Sequence, residues 1–296
     1  MRILVFGAGV IGSLYAQLFH EAGQDVTILA RTRRYRQLRE KGLQYERDGK
    51  IHTSAIQVID HLAQEDIYSF IFVAVRENQL HEALETLRTN QSPTIVTMVN
   101  SLEEYDVWEE ICGKGRILPA FPGAGGSLEQ GVLHADLTPR WIQPTTFGEK
   151  DGSRTERSQV LAKLFQQARI PYQIVPDMHG WQLCHLALVV PLADSYYETQ
   201  EPLNAGKDKP LMHRTALQIR KNLLCLKEAG YPLSPKKLNL LCYMPVGIFE
   251  RGLAWIYQSS FGHTFMYAHA MKAPDEMHRL HNEFYSYIEK KKGKNR

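Results

Sequence analysis

The glycine-rich segment GAGVIG near the amino terminus constrains the fold of this chain more than any other feature. It directly follows a strand-length apolar run, RILVF, and directly precedes an apolar stripe of helical period that Gly23 ends. In such a unit the first glycine permits a tight turn, the second lets a pyrophosphate approach the backbone, and the third lets the helix pack on the strand. Amides at the helix start then face the anion. We therefore predict a dinucleotide site formed by Gly7, Ala8, Gly9, Val10, Ile11 and Gly12.

Strand-length apolar runs alternate with helical patterns up to about residue 175. Besides RILVF these runs are DVTILA, FIFVAV and TIVTMV, and their repetition with helices between them is typical of a parallel sheet covered on both faces. The segments GVLHAD and WIQPTTFGE are predicted to be late antiparallel strands that close the same sheet. The glycine-rich stretch before them, FPGAGGSLEQG, is predicted to be a loop at the ligand crevice or on the surface.

From Asp177 onward the periodicity is helical throughout, with prolines between the segments. The whole pattern predicts an α/β fold, in which residues 1–175 form an amino-terminal Rossmann dinucleotide-binding domain. Residues 176–296 would form an all-helical carboxyl-terminal domain that serves substrate binding or dimerisation, so a homodimer is one expected assembly.

Composition bears on the expected partners and compartment. Lys and Arg number 35 against 32 Asp and Glu, and a net charge of +3 is too small to favour a nucleic-acid or membrane-surface partner. The 4 cysteines form no CxxC pair, so no metal site is predicted. The amino terminus lacks the apolar core of a signal peptide, and no apolar run approaches the roughly 20 residues of a membrane span. We therefore expect a cytoplasmic protein.

The end of the second predicted strand bears on the choice of dinucleotide. An NAD site would place an acidic residue about 20 residues beyond the glycines, where it binds the ribose hydroxyls. This chain has ILARTRR there, in which Arg31, Arg33 and Arg34 supply guanidinium groups and no carboxylate is present. We therefore predict NADP(H), with Arg31 on the 2′-phosphate. The alternative, a solvated helix start, fits Arg34 better than Arg31.

The segments GAGVIG, ILAR, FVAVRENQ and TMVNS together resemble the ketopantoate reductase (2-dehydropantoate 2-reductase) family. The resemblance implies an NADP-binding Rossmann domain followed by a helical domain. It also implies that Arg76, in place of the family's usual Lys, and Gln79 bind the cofactor. Asn100 would lie near the nicotinamide, although Ser101 replaces the family's next glycine. From the residues alone, Asn100 at a strand end either faces the ligand crevice or caps a helix near Ser101.

The chain departs from the family on the first long helix of the second domain, GWQLCHLALVVPLADSYYE. The family has a Lys there that protonates the forming alkoxide, followed by asparagines that hold the substrate. Gln182 or Leu183 stands at the lysine position, depending on the alignment anchor, and Leu186 and Val190 stand at the asparagine positions. Glu276 is a counterpart, at a spacing that fits poorly, of a later Glu that contacts ligand groups in the family.

Reduction of a carbonyl by hydride still needs a proton source for the alkoxide. His185, one turn after Trp181, is the first candidate, because an imidazole can donate a proton near neutral pH. The alternative is a packed core histidine in the stripe that these two residues form with Leu188 and Leu192. His269 is a second candidate acid, with a polar surface patch as its alternative interpretation.

The predicted function is that of an NADPH-dependent oxidoreductase acting on a small 2-keto or 2-hydroxy acid or a related carbonyl compound. Its expected catalytic residues are His185, Asn100 and Glu276. The alternative is a non-catalytic NADPH-binding sensor or regulatory protein. The complete glycine motif and Asn100 favour the enzyme, whereas the missing lysine favours the sensor.

Overall fold

The computed structural model describes residues 1–272 and 274–294, without the side chains of His269 and residues 292–294. The chain forms two compact units, Met1–Met178 and His179–Arg296. The sequence placed this division after residue 175. The first unit combines strands and helices, and the described part of the second is helical, which confirms the predicted fold class.

The first unit contains two sheets. The strands are β1 Arg2–Phe6, β2 Asp25–Leu29, β3 Leu43–Arg47, β4 Lys50–Ser54, β5 Gln57–Ile59, β6 Phe70–Val73, β7 Ile95–Met98, β8 Ile117–Phe121, β9 Ala124–Glu129, β10 Val132–Leu137, β11 Thr145–Phe147 and β12 Tyr172–Ile174. The larger sheet has the order β12-β11-β8-β7-β6-β1-β2-β5. Neighbouring strands in it are parallel except β11 and β8, which are antiparallel. Strand β11 lies within WIQPTTFGE and has the predicted direction.

The helices of this unit cover the larger sheet and are α1 Val10–Glu21, α2 Thr32–Lys41, α3 Leu80–Leu87, α4 Tyr105–Cys112 and α5 Glu156–Gln167. Because such a sheet is covered on both faces, its central strands are apolar throughout, and Phe70–Val73 is fully buried. Phe19 of α1 packs on Phe72 with ring centroids 4.8 Å apart, and Phe165 of α5 lies 6.2 Å from the same ring. The helix that follows the glycine motif is thus anchored in the core.

The smaller sheet has the order β4-β3-β10-β9 and corrects two predictions. GVLHAD supplies β10 of this sheet, so the prediction that it closes the larger sheet is wrong. The predicted loop FPGAGGSLEQG contains strand β9, so that prediction is wrong as well. Strands β9 and β10 pair along their whole length as a hairpin. Gln130 and Gly131 form its turn, with φ angles of 51° and 94°. Such a hairpin satisfies its backbone locally, without a connection back to the larger sheet.

The second unit consists of helices α6 Met178–Tyr197, α7 Lys209–Glu228, α8 Asn239–Tyr243, α9 Val246–Tyr257, α10 Ala268–Lys272 and α11 Pro274–Lys294, with short irregular turns between some of them. Pro191 lies inside α6 and lacks the N–H that would bond to the carbonyl of Ala187. Asn222 of α7, 3% exposed, donates from Nδ2 to that carbonyl at 3.3 Å. The helix therefore continues through its proline. None of the described helices is long and apolar enough to cross a bilayer.

Candidate active site

The three motif glycines have different surroundings at the carboxyl end of β1. Gly7 has φ +109°, and a Cβ added there would lie 2.6 Å from the carbonyl oxygen of Ala74. A Cβ added at Gly12 would lie 1.9 Å from the carbonyl oxygen of Gly7. A Cβ at Gly9 would meet no described atom within 4 Å. Packing thus requires Gly7 and Gly12, whereas Gly9 borders open space, as a close-approaching pyrophosphate needs.

The start of α1 offers backbone donors to this space. Gly9 is the N-cap residue and has no side chain that could cap the helix. The backbone amide of Ser13 donates to Gly9 O at 2.9 Å, as the first bond of the helix. The preceding amides of Val10, Ile11 and Gly12 belong to the first turn, whose N–H groups have no partner within a helix. They form a donor set suited to an anion.

Arg34 forms hydrogen bonds to the glycine turn and to the helix that follows it, so its interpretation as part of a solvated helix start is wrong. Its Nε donates to Ala8 O at 3.2 Å, Nη1 donates to Gly131 O at 3.0 Å, and Nη2 donates to Ser13 Oγ at 3.3 Å. Burial lowers the pKa of this guanidinium from its ordinary value. Arg34 therefore connects the glycine turn to the β9–β10 hairpin.

Arg31 is half-exposed and pairs with a carboxylate that the local sequence does not contain. Its Nη1 lies 2.5 Å from Glu82 Oε1, and its guanidinium carbon lies 5.8 Å from the centroid of the Phe6 ring. Glu82 belongs to α3, 51 residues further along the chain. ILARTRR itself contains no carboxylate, as read from the sequence, but the fold brings one to Arg31 from α3. The parallel order β6-β1-β2 brings the start of α3 to the same sheet edge.

The residue after Arg31 has an unusual backbone. Thr32 has φ +47°, a left-handed conformation that is rare for a β-branched residue and unfavourable by about 1–2 kcal/mol. Arg31 itself is extended, with φ −116° and ψ 155°. Strain of this kind persists where surrounding structure fixes a turn, often at a ligand site.

Two other predicted cofactor residues lie in the connection between β6 and α3. Arg76 and Gln79 are both exposed, and the amide of Gln79 donates to Arg76 O at 2.9 Å in a short 3₁₀ turn. Within the part of the chain that the structure describes, Arg76 has no ion pair. A cation that lacks a protein partner at a sheet edge is available to an anionic ligand.

Asn100 follows β7, next to β6 at the same edge of the sheet. Helix α4 begins at Tyr105 with Glu104 as its N-cap, so the alternative that Asn100 caps this helix is wrong. Asn100 Oδ1 is buried and has no hydrogen-bond partner among the described residues. A buried acceptor without a partner is costly, and a bound donor would satisfy it. The structure thus places Asn100, Arg76 and the glycine turn at the ends of neighbouring strands.

Helix α6 carries the positions at which the family has its lysine and asparagines. Gln182 is 1% exposed and Leu183 is fully buried, so the residue at the lysine position is buried in either alignment. Leu186 and Val190, at the asparagine positions, are buried as well. None of these four side chains can serve as a solvent-accessible proton donor.

His185 and Glu276 remain as the predicted catalytic residues of the helical unit. His185 is half-buried and its ring stacks on Trp181, with centroids 5.4 Å apart and planes 8° apart. Glu276 is half-buried in the first turn of α11. The His269 side chain lies outside the described residues.

A carboxylate–histidine pair in the helical unit was missed from the sequence. His281 Nδ1 lies 2.9 Å from Asp194 Oδ2, and the ring of His281 meets that of Tyr285 edge to face at 4.6 Å. Burial raises the pKa of Asp194, and the hydrogen bond with His281 offsets only part of this rise. The two residues are 87 positions apart, so no local pattern connects them.

Comparisons with known proteins identify the family. The family model for ketopantoate reductase PanE/ApbA matches residues 3–150, and the chain therefore belongs to this family of oxidoreductases. A 2-dehydropantoate 2-reductase of Pyrococcus horikoshii is 25% identical over 187 residues, which cover 62% of this chain and 58% of that protein. The uncharacterized oxidoreductase YkpB of Bacillus subtilis is 25% identical over 169 residues, 56% of this chain and 54% of that protein. The chain thus matches little more than half the length of these relatives.

Solved structures share the fold over nearly the whole chain. D-mandelate dehydrogenase in a ternary complex with NADH and anilino(oxo)acetate gives a TM-score of 0.67 at 14% identity, covering 99% of both chains. A 2-dehydropantoate 2-reductase from Porphyromonas gingivalis gives 0.64 at 16% identity, covering 96% of this chain and 99% of the other. These likenesses confirm the fold that the sequence predicted.

Proposed function

We propose that this protein is an NADPH-dependent oxidoreductase that interconverts a small 2-keto acid, or a related carbonyl compound, with its hydroxy form. The observation that carries the proposal is the glycine turn, in which Gly7 and Gly12 are required by packing while Gly9 borders open space beside a helix start. The solved dehydrogenase of similar fold contains NADH and an oxoacetate, and one relative and several other solved structures of similar fold are named 2-dehydropantoate 2-reductase. Both point to small 2-oxo acids as the class to test.

The chain's own residues would divide the binding of the cofactor between them. The amides of Val10, Ile11 and Gly12 would hold the pyrophosphate, and Arg31, Arg76 and Gln79 would hold the adenosine end with its 2′-phosphate. Asn100 Oδ1 would accept a hydrogen bond from the reacting end of the cofactor or from substrate. The cofactor would supply the hydride.

The proton would come from the helical unit. His185 is our first candidate and Glu276 would contact a polar group of the ligand. The imidazole of His281 is a further candidate acid, because Asp194 holds its Nδ1 and leaves Nε2 to donate a proton. Both assignments replace the family's lysine with an imidazole.

Cofactor affinity tests the first half of this proposal. We expect NADPH to bind at least tenfold more tightly than NADH, about 1.4 kcal/mol, because the 2′-phosphate gains a charge-assisted pair with Arg31. Fluorescence titration of both cofactors measures this ratio, and Arg31→Ala should remove the preference. Arg33→Ala, which removes a neighbouring exposed cation, is the matched control. Equal affinities for the two cofactors in the wild type would contradict the prediction.

Turnover tests the second half. A panel of 2-keto acids should include a compound that oxidises NADPH. Ketopantoate itself should react at least about a hundredfold more slowly than with a lysine-bearing relative, the scale of one lost general acid. The rate on the active compound should fall as pH rises and the donor imidazole loses its proton.

Two variants then assign the donor. If His185 is the acid, His185→Ala removes this pH limb and leaves NADPH affinity nearly unchanged, whereas His281→Ala retains the limb. Brisk ketopantoate reduction by the wild type would refute the argument from the missing lysine.

The burial of Gln182 and Leu183 favours a second function, that of an NADPH-binding sensor without hydride chemistry. Tight NADPH binding, with no carbonyl compound in the panel oxidising the cofactor, would support it over the reductase.

A further inference from the structure

The ion pair between Arg31 and Glu82 spans the edge of the sheet at which the dinucleotide is proposed to bind. Arg31 follows β2, Glu82 follows β6 in α3, and β1 with its glycine turn lies between these strands. The guanidinium lies 5.8 Å from the ring of Phe6, the last residue of β1. A dinucleotide that binds at the glycine turn and contacts Arg31 therefore also lies close to Glu82.

Among the residues that the structure describes, the other arginines near this edge form no ion pair with a carboxylate. Arg34 donates to two backbone carbonyls and to Ser13, so it is committed to the fold. Arg33 and Arg76 are exposed and, among the described residues, form no ion pair. Of the four described arginines, Arg31 is therefore the one whose ion pair with a carboxylate must break before it can bind a phosphate.

We infer that Glu82 determines how strongly the protein discriminates between NADPH and NADH, by competing with the 2′-phosphate for Arg31. This inference rests on the proposed function. A 2′-phosphate must displace the carboxylate and remain near its negative charge. An unphosphorylated ribose leaves the ion pair intact and can donate a hydroxyl hydrogen to Glu82. The pair thus moderates the NADPH preference that the arginines alone would give.

Replacing the carboxylate by its isosteric amide tests this inference. Both partners are substantially exposed, 47% for Arg31 and 64% for Glu82, so the effect is that of a solvent-screened pair. We expect Glu82→Gln to raise the ratio of NADPH to NADH affinity by about fivefold, chiefly through tighter NADPH binding. Titration of 2′-AMP and 5′-AMP should show the same change, because the effect is confined to the adenosine end.

Glu85→Gln is the matched control, because Glu85 lies on the same helix, is 55% exposed and pairs with Arg88 at 3.6 Å. This variant should leave the ratio unchanged. An equal rise in both variants would show a general charge effect and overturn the inference.

A double variant tests the route through Arg31. In an Arg31→Ala background, Glu82→Gln should raise the ratio far less than fivefold, because only the direct repulsion between the carboxylate and the 2′-phosphate is left to relieve. A fivefold rise that persists there would overturn the competition for Arg31. If wild type and variants bind both dinucleotides but Glu82→Gln has an unchanged ratio, this inference fails and the proposed function stands. If no form binds either dinucleotide, both fail.

Discussion

The candidate sites of the two units are built in different ways. In the first unit, the glycine turn, Arg76 and Asn100 each follow a strand of one parallel sheet, so chain order and sheet order bring them to one edge. In the helical unit, Asp194 and His281 come from helices at opposite ends of the sequence of that unit. The first arrangement depends on backbone geometry near each residue. The second depends on helix packing, and it therefore cannot be predicted from the sequence around either residue.

The largest expected effects come from placing one side chain at two glycines of the same turn. Gly12→Val should lower the free energy of unfolding by about 3 kcal/mol or more, because its Cβ would lie 1.9 Å from Gly7 O. Gly9→Val should weaken NADPH binding at least about a hundredfold while the fold is retained, because its side chain fills the space for the pyrophosphate. Urea unfolding followed by circular dichroism, with calorimetric titration, separates the two. Undiminished binding by Gly9→Val would mean that the glycine motif is only a turn.

A smaller effect should appear where side-chain packing sustains α6. Asn222→Leu leaves the Ala187 carbonyl buried without its donor, and we expect a loss of about 2 kcal/mol in the free energy of unfolding. Pro191→Ala restores an N–H to that carbonyl, so the same substitution in this background should cost about 1 kcal/mol less.

Gln218→Leu is the control for this cycle, because Gln218 donates to Asn222 Oδ1 at 2.9 Å and does not contact the carbonyl. Its cost should not depend on Pro191. Equal costs of Asn222→Leu in both backgrounds would show that the asparagine does not compensate for the proline.

The smallest effect distinguishes two aspartates, one in each unit. Burial raises the pKa of Asp194 in the folded state, so the folded protein holds more protons than the unfolded chain between the two pKa values. Its contribution to the free energy of unfolding therefore falls as pH rises through this interval. Hydrogen bonds from Ser153 lower the pKa of Asp151, so its contribution rises with pH.

Urea unfolding at several acidic pH values measures these contributions as differences from the wild type. Asp194→Asn should remove the fall, and Asp151→Asn should remove the rise. The same sign for both variants would contradict the assignment.

Whether a residue's role could be predicted from the sequence follows the same difference between local backbone geometry and long-range packing. The spacing of the glycines predicted the turn, because the roles of Gly7 and Gly12 depend on backbone atoms a few residues away or on the adjacent strand. The β9–β10 hairpin was missed because glycines in a strand resemble those of a loop. Glu82 was missed because it reaches Arg31 through the order of the strands, and His281 because it reaches Asp194 through helix packing. Sheet order and helix contacts are properties of the folded chain as a whole.

Arg34 limits how the cofactor preference of this protein can be redesigned. Exchanging the whole RTRR turn for that of an NAD-using enzyme would remove Arg31, which we propose to bind the 2′-phosphate, together with the guanidinium of Arg34 that joins Ala8, Ser13 and Gly131. Such a graft would lose the shape of the glycine turn, and weak dinucleotide binding by the grafted protein would be mistaken for a change of specificity. A redesign can therefore replace Arg31 and Arg33. Arg34 must either be kept or be replaced together with the residues that accept its hydrogen bonds.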